Sequence, residues 1–175
     1  MNSGDKPLAG QRIGMFGRGE HSDTLRQKDY FKKNRFDRDL LAQLPPGNFT
    51  VAVRGAPVLN GATLADAEWA GLAGFCEIIT NGSDAPGTLL GDCSPEFRAR
   101  FAAADVVIAK GQVNYESLAG VNQNIFFLLK VKCPVIAERL QCPVGGLVLH
   151  HLLPTTLLEE KKRRAQDSGS KKGKF

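Results

Sequence analysis

From Phe49 to His150 the chain alternates short apolar runs with stretches of helical spacing. Phe49-Thr-Val-Ala-Val53 reads as a strand, being β-branched and apolar throughout. Thr63-Leu-Ala-Asp66 then opens a helix to about Ala73, with Thr63 as N-cap and Asp66 as the acidic residue that reaches back to it. Cys76 to Thr80 is the next strand, and Ser94-Pro-Glu-Phe-Arg sets a capping Ser and a first-turn Pro on a helix to about Ala103. Asp105 to Ala109, Ile125 to Leu129 and Gly146 to His150 read as three further strands, with short helices at Tyr115 to Leu118 and Pro134 to Leu140 between them. Strands apolar on both faces, alternating with helices, predict an α/β fold: a Rossmann-like α/β/α sandwich with a mainly parallel sheet.

The ends break this rhythm. Residues 1–35 are polar and interrupted by Gly10, Gly14, Gly17 and Gly19, which predicts an irregular N-terminal segment ahead of an α/β domain over 36–153. Residues 159–175 are almost devoid of apolar side chains and are expected to form a disordered basic tail. Residues 161–175 hold seven Lys/Arg against one acid, whereas residues 41–160 hold seven against eleven. The net charge of +5 therefore belongs to the ends, and nucleic acid is not the partner it points to. No apolar run approaches the roughly 20 residues of a membrane span, and the polar opening lacks the apolar core of a signal peptide, so no membrane partner and a cytoplasmic location are expected. The four cysteines form no CxxC pair and are expected to be free thiols.

In a parallel sheet, ligands bind beyond the carboxyl ends of the strands, where loops meet helix N-termini. Polar residues and glycines gather in the loops on that edge. Asn81-Gly-Ser-Asp-Ala-Pro-Gly-Thr88 offers close backbone approach, a hydroxyl and a carboxylate, as a phosphate cradle requires. Lys110-Gly111 follows the third strand, placing a cation there to offset phosphate charge; Gln112, Asn114 and Glu116 follow within one loop. Asn81, Gly82, Ser83, Asp84, Gln112, Asn114 and Glu116 are thus candidate substrate contacts. Gly17-Arg-Gly19 matches half of a dinucleotide fingerprint, with Ser22 where the third glycine belongs.

The stretches VAVRGAPVLNGATLADAEWAGL, TNGSDAPGTLLGDCSPEFRARFAAADVVIAKGQVNYESL and NIFFLLKVKCPVIAERL closely resemble the damage-control phosphatase family, whose shared unit is the acidic-residue-methyltransferase-like metal-binding domain. The likeness runs from about Phe36 to Leu149 and rests on linked motifs in family order, including the NGSDAPGT and AKGQxNYE loops. It implies a divalent-metal-dependent phosphatase (Mn, Mg, Co or Ni) acting on small phosphorylated metabolites. It also implies that Lys110 contacts the substrate phosphate, that Asn114 and the Asn81 to Asp84 loop line the pocket, and that Asn60 belongs to the metal site.

Departures from the family pattern fall on the metal ligands. The family's Asn-Asp-Ala-Thr motif reads Asn60-Gly61-Ala62-Thr63 here, so glycine replaces a carboxylate. The family's Asp-Asn-Ala-Gly-Glu motif aligns without gaps on Asp29-Tyr30-Phe31-Lys32-Lys33, keeping Asp29 as a metal ligand or nucleophile and losing the Asn. A gapped register through Gly17-Arg-Gly-Glu20 loses both members of the pair. A hard cation needs several oxygen ligands, so metal binding should be weakened or lost. By the resemblance, the helical region that precedes this domain in the family is expected to be missing. The expected function is therefore a truncated, impaired metal-dependent phosphatase domain of metabolite damage control, with Asp29 and Lys110 as catalytic groups. The alternatives are a catalytically inactive phosphometabolite-binding protein or degenerate fragment and, on fold analogy alone, a nucleotide-binding module.

Overall fold

The computed structural model describes residues 12–15, 49–58, 61–74, 76–159 and 162. Among the described residues six strands form one sheet: β1 (Arg12–Met15), β2 (Phe49–Val53), β3 (Glu77–Thr80), β4 (Val107–Lys110), β5 (Ile125–Lys130) and β6 (Leu147–Leu152). Their spatial order is β3-β2-β1-β4-β5-β6. The first four pairings are parallel, and β6 joins β5 antiparallel along Ile125↔Leu152 to Lys130↔Leu147. The helices that accompany them are α1 (Leu64–Trp69), α2 (Pro95–Ala103), α3 (Gln112–Leu118) and α4 (Pro134–Leu140). The mainly parallel α/β architecture is the one the apolar pattern predicts.

The local signals act as expected at two helix starts. Thr63 and Asp66 form a reciprocal capping box, the Thr63 amide donating to Asp66 Oδ2 at 2.8 Å. Ser94 Oγ accepts from the Phe97 amide at 3.2 Å, with Pro95 in the first turn.

Two expectations are corrected. Residues 1–35, expected to be irregular, supply β1, the strand between β2 and β4, so the sheet reaches outside 36–153. A four-residue run with Gly14 inside it carries little sequence signal, but pairing on both edges satisfies its backbone groups. The helix expected at Tyr115 to Leu118 begins earlier, at Gln112, so that Gln112 and Asn114, expected in a loop, lie with Glu116 on α3. Gly111, at φ 89°, reverses the chain in a single residue, so the helix begins at once.

The sheet separates two clusters. The larger gathers Phe97 and Phe101 of α2, Tyr115 and Leu118 of α3 and Ile136 of α4 against Val107, Ala109, Ile125, Phe127 and Leu129. The smaller packs Ala67 and Leu72 on Phe49, Val51 and Val53. Strand β2 serves both, since Ala52 belongs to the larger cluster and its neighbours Val51 and Val53 to the smaller. No helix among the described residues is long and apolar enough to cross a membrane.

Candidate functional site at the carboxyl edge of the sheet

Strands β1 to β5 are parallel, so the segments after β2, β3 and β4 emerge on one edge of the sheet. The order 3-2-1-4-5-6 reverses between β1 and β4, and Lys110, the last residue of β4, stands beside that switch point.

The segments after β2 and β3 are joined by backbone. The Gly55 amide donates to the Ser83 carbonyl at 3.0 Å and to Asn81 Oδ1 at 3.0 Å. A Cβ on Gly55 would lie 2.6 Å from the Gly82 carbonyl carbon, so only glycine permits this approach. Asn81 Oδ1 also accepts from the Ser83 amide at 3.1 Å, and Ser83 Oγ accepts from the Ala85 amide at 3.0 Å. Asn81 and Ser83 are buried, their side-chain oxygens spent on shaping the loop, while Gly82 and Asp84 are exposed.

Behind this loop lies a buried polar group. Arg54, directly after β2, is 7% exposed, and its Nη2 donates to Asn114 Oδ1 at 3.1 Å. Thr88 Oγ1 donates to the same oxygen at 2.9 Å, and Asn114 Nδ2 donates to the Lys110 carbonyl at 2.8 Å. Asn114 thereby ties the segment after β2, the loop after β3 and the end of β4 together from α3. Arg54 Nη1 is buried with no hydrogen-bond partner, and Arg54 has no carboxylate within salt-bridge distance among the described residues. Burial pulls its pKa below the ordinary arginine value, an effect that nearby Cys93 opposes. Burial also pushes the Cys93 and Cys76 thiols up, which keeps them protonated and unreactive.

The other predicted site residues occupy distinct positions. Lys110 is half-buried. Gln112 Nε2 donates to Glu116 Oε1 at 2.8 Å, and its Oε1 accepts from the Lys132 amide at 2.7 Å, which ties α3 to the segment after β5. Asp29 and Asn60 lie outside the described residues. Arg54 and Ser117, whose Oγ accepts from the Thr88 amide at 2.8 Å, are not among the residues that the sequence singles out, and Thr88 figures there only as the end of the loop after β3. The signal for Arg54 is a charged residue directly after a buried strand that holds no charge.

A divalent cation finds no set of ligands among the described residues, where no three His, Cys, Asp or Glu side chains gather. Gly61 carries no side chain, and the Arg54 stem packs against it: a Cβ there would lie 2.7 Å from Arg54 Cγ and 3.3 Å from Nε. This part of the edge offers a guanidinium where a metal site needs oxygen donors.

Comparison with known proteins places the chain. The family model described as the damage-control phosphatase ARMT1-like domain matches residues 35–148. An uncharacterized protein of Methanocaldococcus jannaschii is 41% identical over 120 residues, 65% of this chain and 40% of its own length. A damage-control phosphatase of Pyrococcus horikoshii is 44% identical over 99 residues, 56% of this chain and 34% of its own. The crystal structure of a DUF89 family protein from P. horikoshii matches with a TM-score of 0.63 at 33% identity, over 81% of this chain and 47% of that one. The chain thus spans less than half the length of the curated relatives it matches. With the family model matched over residues 35–148, more than half of the chain, the chain belongs to the damage-control phosphatase family.

Proposed function

We propose that this chain binds small phosphorylated metabolites at the carboxyl edge of its sheet, and that divalent-metal-dependent hydrolysis is impaired. The observation that carries the impairment is Gly61, which leaves no carboxylate in the family's metal motif and has the Arg54 stem packed against it. The position of β1 supports the same view. Its carboxyl end, Met15, leads straight into Phe16-Gly17-Arg18-Gly19-Glu20, which favours the gapped register with both members of the ligand pair lost over the one that assigns Asp29 a role.

What favours retained binding is the scaffold: hydrogen bonds within the protein shape the Asn81 to Thr88 loop and tie it to Gly55 and Asn114. In this function Lys110 supplies a cation to the phosphoryl group, and the exposed backbone around Gly82 approaches it closely. The loop's side chains build the cradle from within. A cytoplasmic location and substrates of metabolite-damage type complete the proposal, on the strength of the family and the sequence.

The test measures metal content and phosphatase turnover on a panel of phosphometabolites, with Mn²⁺, Mg²⁺, Co²⁺ or Ni²⁺ supplied, beside the P. horikoshii relative. Turnover at least about a hundredfold below that relative is expected, since lost electrostatic stabilisation of the transition state typically costs that much. Comparable turnover would end the impairment, and failure to bind any phosphorylated compound would end the proposed function.

A further inference from the structure

The Arg54 guanidinium combines three properties that a well-paired structural arginine does not. The residue is only 7% exposed; its Nη1 has no hydrogen-bond partner; and no carboxylate lies within salt-bridge distance among the described residues. A buried donor without an acceptor carries a desolvation penalty, larger for a charged group. The residue packed against this side chain is Gly61, partly exposed and without a side chain. A carboxylate built on its Cβ, 3.3 Å from Nε, would stand within reach of the guanidinium. Glycine at 61 therefore removes a partner of Arg54 as well as a ligand.

We propose that Arg54 is an oxyanion-binding residue of this chain: the phosphate group of a ligand pairs with Nη1, while Nη2 stays on Asn114, so that binding needs no divalent metal. The inference rests on the proposed binding of phosphorylated metabolites at this edge and assigns their phosphate a second cationic partner besides Lys110. A planar guanidinium suits this task, because two donors from one rigid fork serve two acceptors at once. Asn114 fixes the fork from the protein side. Phosphate is chosen over a simple carboxylate because the neighbouring Gly82 to Asp84 backbone, the half-buried Lys110 and Arg54 all belong to one edge, and together they favour a multiply charged anion.

The experiment titrates inorganic phosphate into the full chain in excess EDTA, by calorimetry and by thermal shift, for the wild type and for Arg54→Met, Gly61→Asp and Lys110→Met. Wild type should bind and melt higher as phosphate rises. Arg54→Met should bind at least about tenfold more weakly, because one charge-assisted hydrogen bond is gone. Gly61→Asp should lose binding to a similar extent, because its own carboxylate occupies the guanidinium. If Gly61→Asp does not fold against the Arg54 stem, Arg54→Met decides alone, with Arg54→Lys as the variant that keeps charge and loses the fork. Phosphate binding unchanged in Arg54→Met, yet lost in Lys110→Met, would overturn the inference and leave the proposed function standing. No binding of phosphate or of any phosphorylated compound by the wild type would overturn both.

Discussion

Asn114 concentrates the polar chemistry of this edge in one side chain. It is 2% exposed and accepts from both Arg54 and Thr88 while donating to the Lys110 carbonyl. Its place after the third strand and the resemblance both assign it to a pocket lining; its side-chain hydrogen bonds give it a structural duty that no spacing reveals, because all their partners are remote in the chain except Lys110. Asn114→Ala would leave the Arg54 Nη2 and the Thr88 hydroxyl without their acceptor inside the protein. Each such loss costs about 1–3 kcal/mol, so the variant should be about 2–6 kcal/mol less stable, read as a lower urea midpoint with an unchanged slope. Arg54→Met should be milder, within about 1 kcal/mol, since removing a buried charge with an unpaired donor offsets the missing hydrogen bond to Asn114. Equal destabilisation in the two denaturation curves would mean that Arg54 has a partner beyond Asn114.

At the level of elements, the site depends on backbone meeting backbone. The segment after β2 touches the loop after β3 at Gly55 and Gly82, and the amide of Gly55 is held by two acceptors across that contact. Gly55→Ala places a methyl 2.6 Å from the Gly82 carbonyl carbon, where no flexible side chain can yield. The loops must part, at a cost of about 2 kcal/mol or more, and the melting temperature should fall accordingly. Gly74→Ala, with nothing within 4 Å of the added carbon, is the control that should leave it nearly unchanged. Much at this scale was legible. The caps Thr63 and Ser94, the strand runs and the helix Pro134–Leu140 follow from local chemistry that tertiary packing does not contradict. The immediate start of α3 was not legible, because Gly111 reads equally as a loop residue or as a one-residue reversal until the strand before it and the β5 carbonyl that accepts its amide are known. The antiparallel β6 was equally hidden: an apolar run of that length has no directional mark.

At the scale of the molecule, the sheet divides two clusters of described residues that differ in size, and that difference should govern how they unfold. The larger cluster draws on three helices and on β4 and β5, and holds Phe97, Phe127, Leu118, Ile125 and Val107 with essentially no exposure. The smaller rests on α1, the short helical turn Leu72–Gly74 and one face of β2, with Leu72 still 8% exposed. Among the described residues, dispersion and burial are therefore greater on one side, and the smaller cluster is linked to the larger through β2. The sequence named the strands that build both cores but could not apportion them, since Val51 and Ala52 read as one apolar run and are sorted only by which helix each face meets. Truncating Phe127, fully buried between Tyr115 and the rest of the larger cluster, should cost about 3–5 kcal/mol. Truncating Leu72 at the margin of the smaller one should cost about 2–3 kcal/mol, because its surroundings can collapse and water already reaches it. Native-state hydrogen exchange provides the second measurement. Amides of β4 and β5 should open only with global unfolding, and those of α1 at lower free energy. Phe127→Ala should then lower the protection of every slow amide together, whereas Leu72→Ala should loosen α1 and leave β5 close to wild type. Uniform loss in both variants would mean that the two cores unfold as one unit.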